Sequence, residues 1–173
     1  LLRVRAHNEA ARCFAMYAAQ ILDQTKYSAD PAVAQAASDR VALLTPVVKA
    51  FLTDKGFEAC VESQQVFGGH GFIREWGMEQ YVRDTRISQI YEGTNGIQAL
   101  DLVGRKLGLG GGRAVRNYFA LVEGWLKDNA GEDHVAAVGA ALKQLQQATL
   151  WVASEGMKDP EQAGAAATPY LRL

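Results

Sequence analysis

The sequence is poor in the residues that mark several common kinds of protein. Its two cysteines, Cys13 and Cys60, lie far apart in Ala-rich, helix-like surroundings. That excludes a disulfide scaffold and reads as small core residues in a reducing compartment, a bacterial-type cytoplasm. The three histidines, His7, His70 and His134, have no carboxylate or cysteine at ligand spacing, so no metal site is expected. The formal net charge is −1 and the Lys and Arg residues are scattered, which leaves no electrostatic footprint for nucleic acid or for an anionic membrane. No apolar run approaches the ~18 residues that span a bilayer. No strand-like alternation persists beyond about four residues, and no internal repeat is visible, so the class is all-α.

What is present is helical periodicity. At 173 residues and 49% hydrophobic content, the chain suits one core burying on the order of 70% of its unfolded surface. Ala10, Phe14, Ala18 and Ile21 share one face of a first helix that should end near Lys26. Ser28-Ala29-Asp30-Pro31 then reads as a break, with Asp30 as N-cap and Pro31 at the first helical position. The next pattern runs from Val33 to Phe67, about 36 residues or ~54 Å if continuous. Pro46 should kink it and Gly56 weaken it; one bent helix is preferred to two divided near Lys55-Gly56. Two such helices form an antiparallel hairpin, the start of an up-and-down bundle.

Gly68-Gly69-His70-Gly71 must end the long helix, either as a plain C-cap or to admit a ligand close to the backbone. Phe72–Gly77 reads as irregular, Met78–Thr85 as a short helix, and Gly96–Leu107 as another, capped by Thr94 or Asn95. Gly108–Gly112 reads as a flexible joint; it lacks the ending of a phosphate loop and any preceding strand. Helices follow over Arg113–Asn129 and Asp133–Met157, with Lys158–Thr168 linker-like. The chain starts within a helical pattern, without Met, and stops at an apolar Pro169-Tyr170-Leu171-Arg172-Leu173, so a piece of a longer protein is expected.

The chemistry concentrates between Gln65 and Leu100. Glu92 follows the apolar-alternating Ile87–Tyr91 and precedes Gly93-Thr94-Asn95-Gly96, so it leaves an ordered element for a turn, a common mounting for a catalytic group. His70 between glycines reads as a polar turn residue rather than a second base. Arg83, Asp84 and Arg86 read as a structural Arg-Asp pair beneath the turn in preference to a grip on phosphates. Trp76, Phe72 and Tyr81 read as packing residues, with an interface role second.

The blocks Gln65-Val66-Phe67-Gly68-Gly69-His70-Gly71-Phe72, Tyr81-Val82-Arg83-Asp84-Thr85-Arg86-Ile87, Gln89-Ile90-Tyr91-Glu92-Gly93-Thr94 and Ile97-Gln98 resemble, in order and spacing, the C-terminal helical domain of flavin-dependent acyl-CoA dehydrogenases. The resemblance covers residues 1–107. It implies a four-helix-bundle domain there, a Gly-rich linker at 108–112 and a helical C-terminal extension at 113–173. That extension is similar to the larger members of the family, of the 3-methylmercaptopropionyl-CoA dehydrogenase-like type, and the shorter members lack it.

The resemblance further implies that Glu92 is the catalytic base and that FAD is the cofactor. Gln65 and Gly69 would meet the adenine diphosphate half of an FAD in a neighbouring subunit, and Thr94 the cofactor of its own subunit. Tyr91 and Gly93 would line the thioester end of the substrate pocket. Implied partners are an acyl-CoA, further copies of the chain in a dimer or tetramer, and electron-transfer flavoprotein. Gly96 stands where many members have Gln, leaving one flavin contact to Asn95 or to main chain. The alternatives are an acyl-CoA oxidase and a helical assembly module with an inert Glu92.

Forming a trans-2-enoyl-CoA removes an α-proton and a β-hydride; a carboxylate takes the first and a flavin the second. The main-chain N–H of Glu92 can meet the thioester oxygen as enolate charge develops. The middle β-domain and N-terminal helical domain of such enzymes lie outside this chain, so the piece alone is expected to be colourless and inactive.

Overall fold

Asp30 and Pro31 begin the helix on which the molecule is built. In the computed structural model, which describes all residues from Leu1 to Leu173, the Asp30 side chain accepts from the Ala32 N–H at 2.8 Å. From there α2 runs unbroken over Pro31–Val66, 36 residues, through both Pro46 and Gly56. Pro46 has no N–H for the Ala42 carbonyl, yet it is among the most completely buried side chains; its packing offsets the missing ladder bond. Ahead of it α1, Leu2–Tyr27, lies against α2. Ile21 packs with Ala37 and Leu44, and Phe14 meets Phe51 edge to face at 5.9 Å.

After α2 the chain makes two short 3₁₀ turns, Gly68–Phe72 and Arg74–Trp76. Then come α3, Met78–Ser88, and α4, Asn95–Asp101. The single α-helix expected to reach Leu107 instead widens into a π-helical turn over Leu102–Lys106, closed by Leu107 N–H to the Leu102 carbonyl at 3.0 Å. The turn lets Leu102 and Val103 both face the core.

Two expectations for the C-terminal part are corrected. Gly110, Gly111 and Gly112 all adopt left-handed backbone angles, φ 59, 63 and 81, and Arg116 donates to the Gly111 carbonyl at 2.8 Å. The glycines therefore build a defined reversal rather than a slack joint, a kink inside the start of α5, Leu109–Asp128. The linker expected over Lys158–Thr168 is instead mostly helix: after α6, Val135–Ser154, and a 3₁₀ turn at Gly156–Lys158 comes α7, Pro160–Arg172. Asp159 caps it, accepting from the Glu161 N–H at 2.9 Å, and Pro160 starts it.

Far from trailing, α7 enters the main core. Ala167, Tyr170 and Leu171 pack with Leu43 and Ala50 of α2, Ala99 of α4, Leu102, Val103 and Val152. Each large side chain so buried contributes about 1.5–3 kcal/mol. The Tyr170 hydroxyl lies 2.7 Å from Thr149 Oγ1, which satisfies it. Burial raises the Tyr170 pKa, and the bond to Thr149 opposes that shift.

The accessible surface is 11103 Å², against about 8300 Å² for a compact monomer of this mass. About 60% of the unfolded surface is thus buried, less than the ~70% the length suggests. Large apolar side chains remain uncovered, among them Phe72 at 81% and Tyr81 at 64%. No helix is long and apolar enough to cross a membrane.

One buried charge ties α2 to α5. Asp39, 5% exposed, accepts from Arg113 Nε at 2.7 Å and Nη2 at 2.9 Å, and from Gln35 Nε2 at 2.9 Å. The Arg113 bond holds the Asp39 pKa below its usual value, against the opposing effect of burial. A folded-state pKa below the unfolded value gives stability that is present above about pH 4 and lost as pH falls through the folded-state value. Urea titrations should therefore show Asp39→Asn less stable than wild type near pH 7, with the gap closing below about pH 4. A gap independent of pH would refute this role. Arg113→Ala, which leaves the carboxylate buried without its cation, should cost more at pH 7 than Asp39→Asn.

Candidate active site

Glu92 is the one residue other than glycine with a positive φ, 52°. A β-carbon makes that conformation costly, on the order of 1–3 kcal/mol, and such strain gathers at functional sites. The next residue, Gly93, has φ 82. A Cβ there would meet the mobile end of the Gln98 side chain at 2.7 Å, so it is the positive φ that favours glycine. The Glu92 side chain is exposed, and its main-chain N–H finds no acceptor within the chain. A carboxylate and an unclaimed donor thus belong to the same residue, as removing a proton beside a carbonyl requires.

The turn carrying Glu92 is tied down at both ends. Asn95 N–H donates to the Gln89 carbonyl at 3.2 Å, closing a loop from 89 to 95. The Gln89 and Asn95 side-chain amides then converge on Asp54 Oδ1, each at 2.7 Å. Asn95 Nδ2 also donates to Thr53 Oγ1 at 3.0 Å, and Thr53 passes its own proton to the Lys49 carbonyl at 2.8 Å. Asn95 Oδ1 accepts from Lys49 Nζ at 2.7 Å. Lys49 and Thr53 lie one turn apart on the same face of α2, and Asp54 follows Thr53 round the helix toward the turn. Burial lowers the Lys49 pKa, opposed by the charges of Asp54 and Glu92, so its ammonium feels the site carboxylate. From the other side Arg172 Nη2 reaches Asp54 Oδ2 at 3.3 Å.

These contacts decide several open readings. The Asn95 side-chain amide is engaged on both its oxygen and its nitrogen, by Lys49, Thr53 and Asp54. Thr94 is the cap of α4: its Oγ1 accepts from the Ile97 N–H at 3.2 Å, leaving the hydroxyl proton free. Tyr91 is 52% exposed. Tyr91, Glu92, Gly93 and Thr94 therefore share one turn, whereas Gln65 sits at the far end of α2, about sixteen residues or roughly 24 Å from Lys49 along the helix, with Gly69 in the 3₁₀ turn that follows. There the Gln65 side chain is exposed, and a Cβ on Gly69 would meet nothing within 4 Å, so a ligand has room to approach. Gly71 is different. It is buried, and a Cβ would lie 2.2 Å from the Gln64 carbonyl oxygen, while Gln64 Nε2 donates to the Gly71 carbonyl at 3.1 Å.

The expected Arg-Asp pair in α3 does not form. Asp84 accepts from Gln80 at 2.7 Å, and Arg86 donates to Gln89 at 3.1 Å with its guanidinium 6.0 Å from the Phe57 ring centre. His70 packs edge-on against Trp76 at 5.2 Å, a packing contact for both. No group of three or more His, Cys, Asp or Glu residues is placed to hold a metal ion.

Fold and site define an all-α bundle that presents an exposed, strained carboxylate on a turn anchored to one long helix. Residues 1–107 match the model of the family described as "Acyl-CoA dehydrogenase, C-terminal domain", and residues 118–173 match that of "Acetyl-CoA dehydrogenase C-terminal like". The chain belongs to the acyl-CoA dehydrogenase family, within its C-terminal part. It is similar to 3-methylmercaptopropionyl-CoA dehydrogenase of Ruegeria pomeroyi, 39% identical across 100% of this chain and 30% of that protein. It is also similar to the broad-specificity linear acyl-CoA dehydrogenase FadE5 of Mycobacterium tuberculosis, 29% identical across 99% of this chain and 26% of that one. The chain thus spans less than a third of the length of these relatives. In fold it matches the solved structure titled "Bd2924 apo-form", with a TM-score of 0.73 and 21% identity over 98% of this chain and 29% of that one.

Three substitutions test the backbone reading. Glu92→Gly should raise the thermal midpoint by about 2–4 °C, since relieving the left-handed strain returns about 1 kcal/mol, whereas Glu92→Gln should leave it unchanged. Equal midpoints for all three proteins would show the turn to be unstrained. Gly71→Ala should lower the midpoint, because the Gln64 carbonyl has to move to admit the methyl group.

Proposed function

We propose that the complete protein is an FAD-dependent acyl-CoA dehydrogenase and that Glu92 removes the α-proton of the bound thioester. The observation that carries this is the coincidence, on one strained exposed turn, of a carboxylate and an unclaimed main-chain N–H, in a chain that belongs to this family. The carboxylate takes the proton at Cα. The Glu92 N–H donates to the thioester oxygen as charge gathers there, a contact of the kind worth about 3 kcal/mol. Gly93 keeps side-chain bulk away from the thioester, and Tyr91 lines the same end of the pocket. FAD, when bound, supplies the acceptor for the β-hydride. Thr94 has its hydroxyl proton left to donate to that cofactor. The room over Gln65 and Gly69 suits the adenine diphosphate half of an FAD in a neighbouring subunit.

That division needs more than one copy, so a homo-oligomer belongs to the proposal, with electron-transfer flavoprotein as electron acceptor and a cytoplasmic setting. The uncovered Phe72 and Tyr81 supply apolar surface for assembly. In the complete protein, Glu92→Gln should keep flavin bound and lose nearly all turnover, measured by flavin absorbance and dye reduction with acyl-CoA. Turnover near wild type would refute the assignment. The 173-residue chain alone should purify colourless, and a yellow preparation would show that it holds flavin unaided.

A further inference from the structure

The polar cluster beneath the turn does more than fill space. A turn of seven residues with a strained residue at its tip keeps that strain only if its surroundings over-determine it. Around Glu92 the chain's own contacts are few: the Glu92 carbonyl accepts only from Gln98 Nε2, at a long 3.4 Å. The restraint comes instead from the two ends, Gln89 and Asn95, which share Asp54 Oδ1 at 2.7 Å each. Since one oxygen serves both, any displacement of Asp54 moves both ends together. Its second oxygen faces Arg172, the last residue of α7, at 3.3 Å. Asp54 has a side chain 17% exposed and Arg172 one 66% exposed, so the inner partner is sheltered and the outer one reaches it from solvent. Lys49 Nζ completes the clamp by holding the oxygen of the same Asn95 amide at 2.7 Å.

We propose that Asp54 and Lys49 are positioning residues for the base, clamping both ends of the turn from Gln89 to Asn95 so that Glu92 keeps its strained, outward-facing geometry, and that Arg172 is the outer hold on that clamp. The proposal rests on Glu92 being the base. It gives the C-terminal helix a part in the reaction: α7 buries Tyr170 and Leu171 in the core and thereby brings Arg172 to the carboxylate that sets the turn. The cluster acts chiefly through the backbone of the turn, where misplacement of a catalytic group by about 1 Å costs roughly a hundredfold in rate, while the Lys49 charge also reaches Glu92 directly.

The test uses the complete, flavin-loaded enzyme. Asp54→Ala should lower kcat per bound flavin by about tenfold to a hundredfold with KM for acyl-CoA little changed, and should enlarge the isotope effect with α-deuterated substrate, because proton removal becomes slower than the later steps. Asp54→Asn retains an acceptor for Gln89 and Asn95 while weakening the hold of Arg172. It should recover most of the loss, matching Arg172→Gln at a few-fold. Should Asp54→Ala fail to fold, Gln89→Ala, which removes one of the two ties, decides the question by the same split between kcat and KM. Unchanged kcat per flavin and an unchanged isotope effect, with only a lower thermal midpoint, would overturn the positioning role and leave the cluster structural. Glu92→Gln in the same preparation keeps the two ideas apart: loss of turnover there with normal Asp54 variants would sink only the clamp, whereas retained turnover would sink the base.

Discussion

Asp54 Oδ1 accepts the Gln89 and Asn95 amides at 2.7 Å each, and the site is built outward from that shared oxygen. The requirement it answers is geometric. A helix offers Lys49 and Thr53 as neighbours on one face because they lie four residues apart, with Asp54 next along, and the seven-residue turn reaches across that patch. Without a continuous element the three groups would not stay in register with the turn. The 36 residues of α2 supply that element and carry the other anchors too: Asp39 toward α5 and Gln64 toward the glycine turn. One strut thus holds both halves of the proposed site at a separation set by helical rise.

The cost of this design is visible in the backbone. Glu92 occupies a conformation that glycine would adopt more readily. The polar groups beneath it are half-buried, and burial is what lowers the Lys49 pKa. Such a cluster is tolerable only when every member is paired, and no buried side-chain nitrogen or oxygen lacks a partner. The stability forgone at the tip is offset below it, in the apolar core where α2, α4 and α7 meet. Function and packing therefore draw on the same helices, with the strained residue kept at the surface and its support inside.

Much of this was legible in the sequence where the physics is local. Asp30-Pro31 announced the start of α2, the glycines announced its end, and the turn between two ordered elements singled out Glu92. The misreadings are just as physical. Asp159-Pro160 carries the same cap signal as Asp30-Pro31, yet the Ala and Gly content that follows suggested a linker; the cap was the better guide, because α7 needs only Ala167, Tyr170 and Leu171 to find the core. Arg83, Asp84 and Arg86 suggested an Arg-Asp pair although residues one or two apart on a helix do not face one another; Asp84 accepts instead from Gln80, four residues earlier. The π-helical turn shifts the register by a residue, which a fixed period cannot register. The clamp was out of reach altogether, since Lys49 and Asp54 meet Asn95 across more than forty residues, and no local pattern links them.

The part played by α7 follows from connectivity rather than from any single contact. Helices α5 and α6 and the three left-handed glycines between 110 and 112 turn the chain so that α7 returns to α2 and α4. Once there, Tyr170 and Leu171 are buried and Thr149 satisfies the Tyr170 hydroxyl, which fixes the axis of the helix and, with it, the reach of Arg172. A surface ion pair by itself contributes little, since two mobile side chains must be ordered to form it. Here the carboxylate is already ordered by two amides, so the guanidinium meets a preformed acceptor and the ordering cost falls mostly on Arg172 alone. An extension added for packing can by this route acquire a hold on the turn it packs beside.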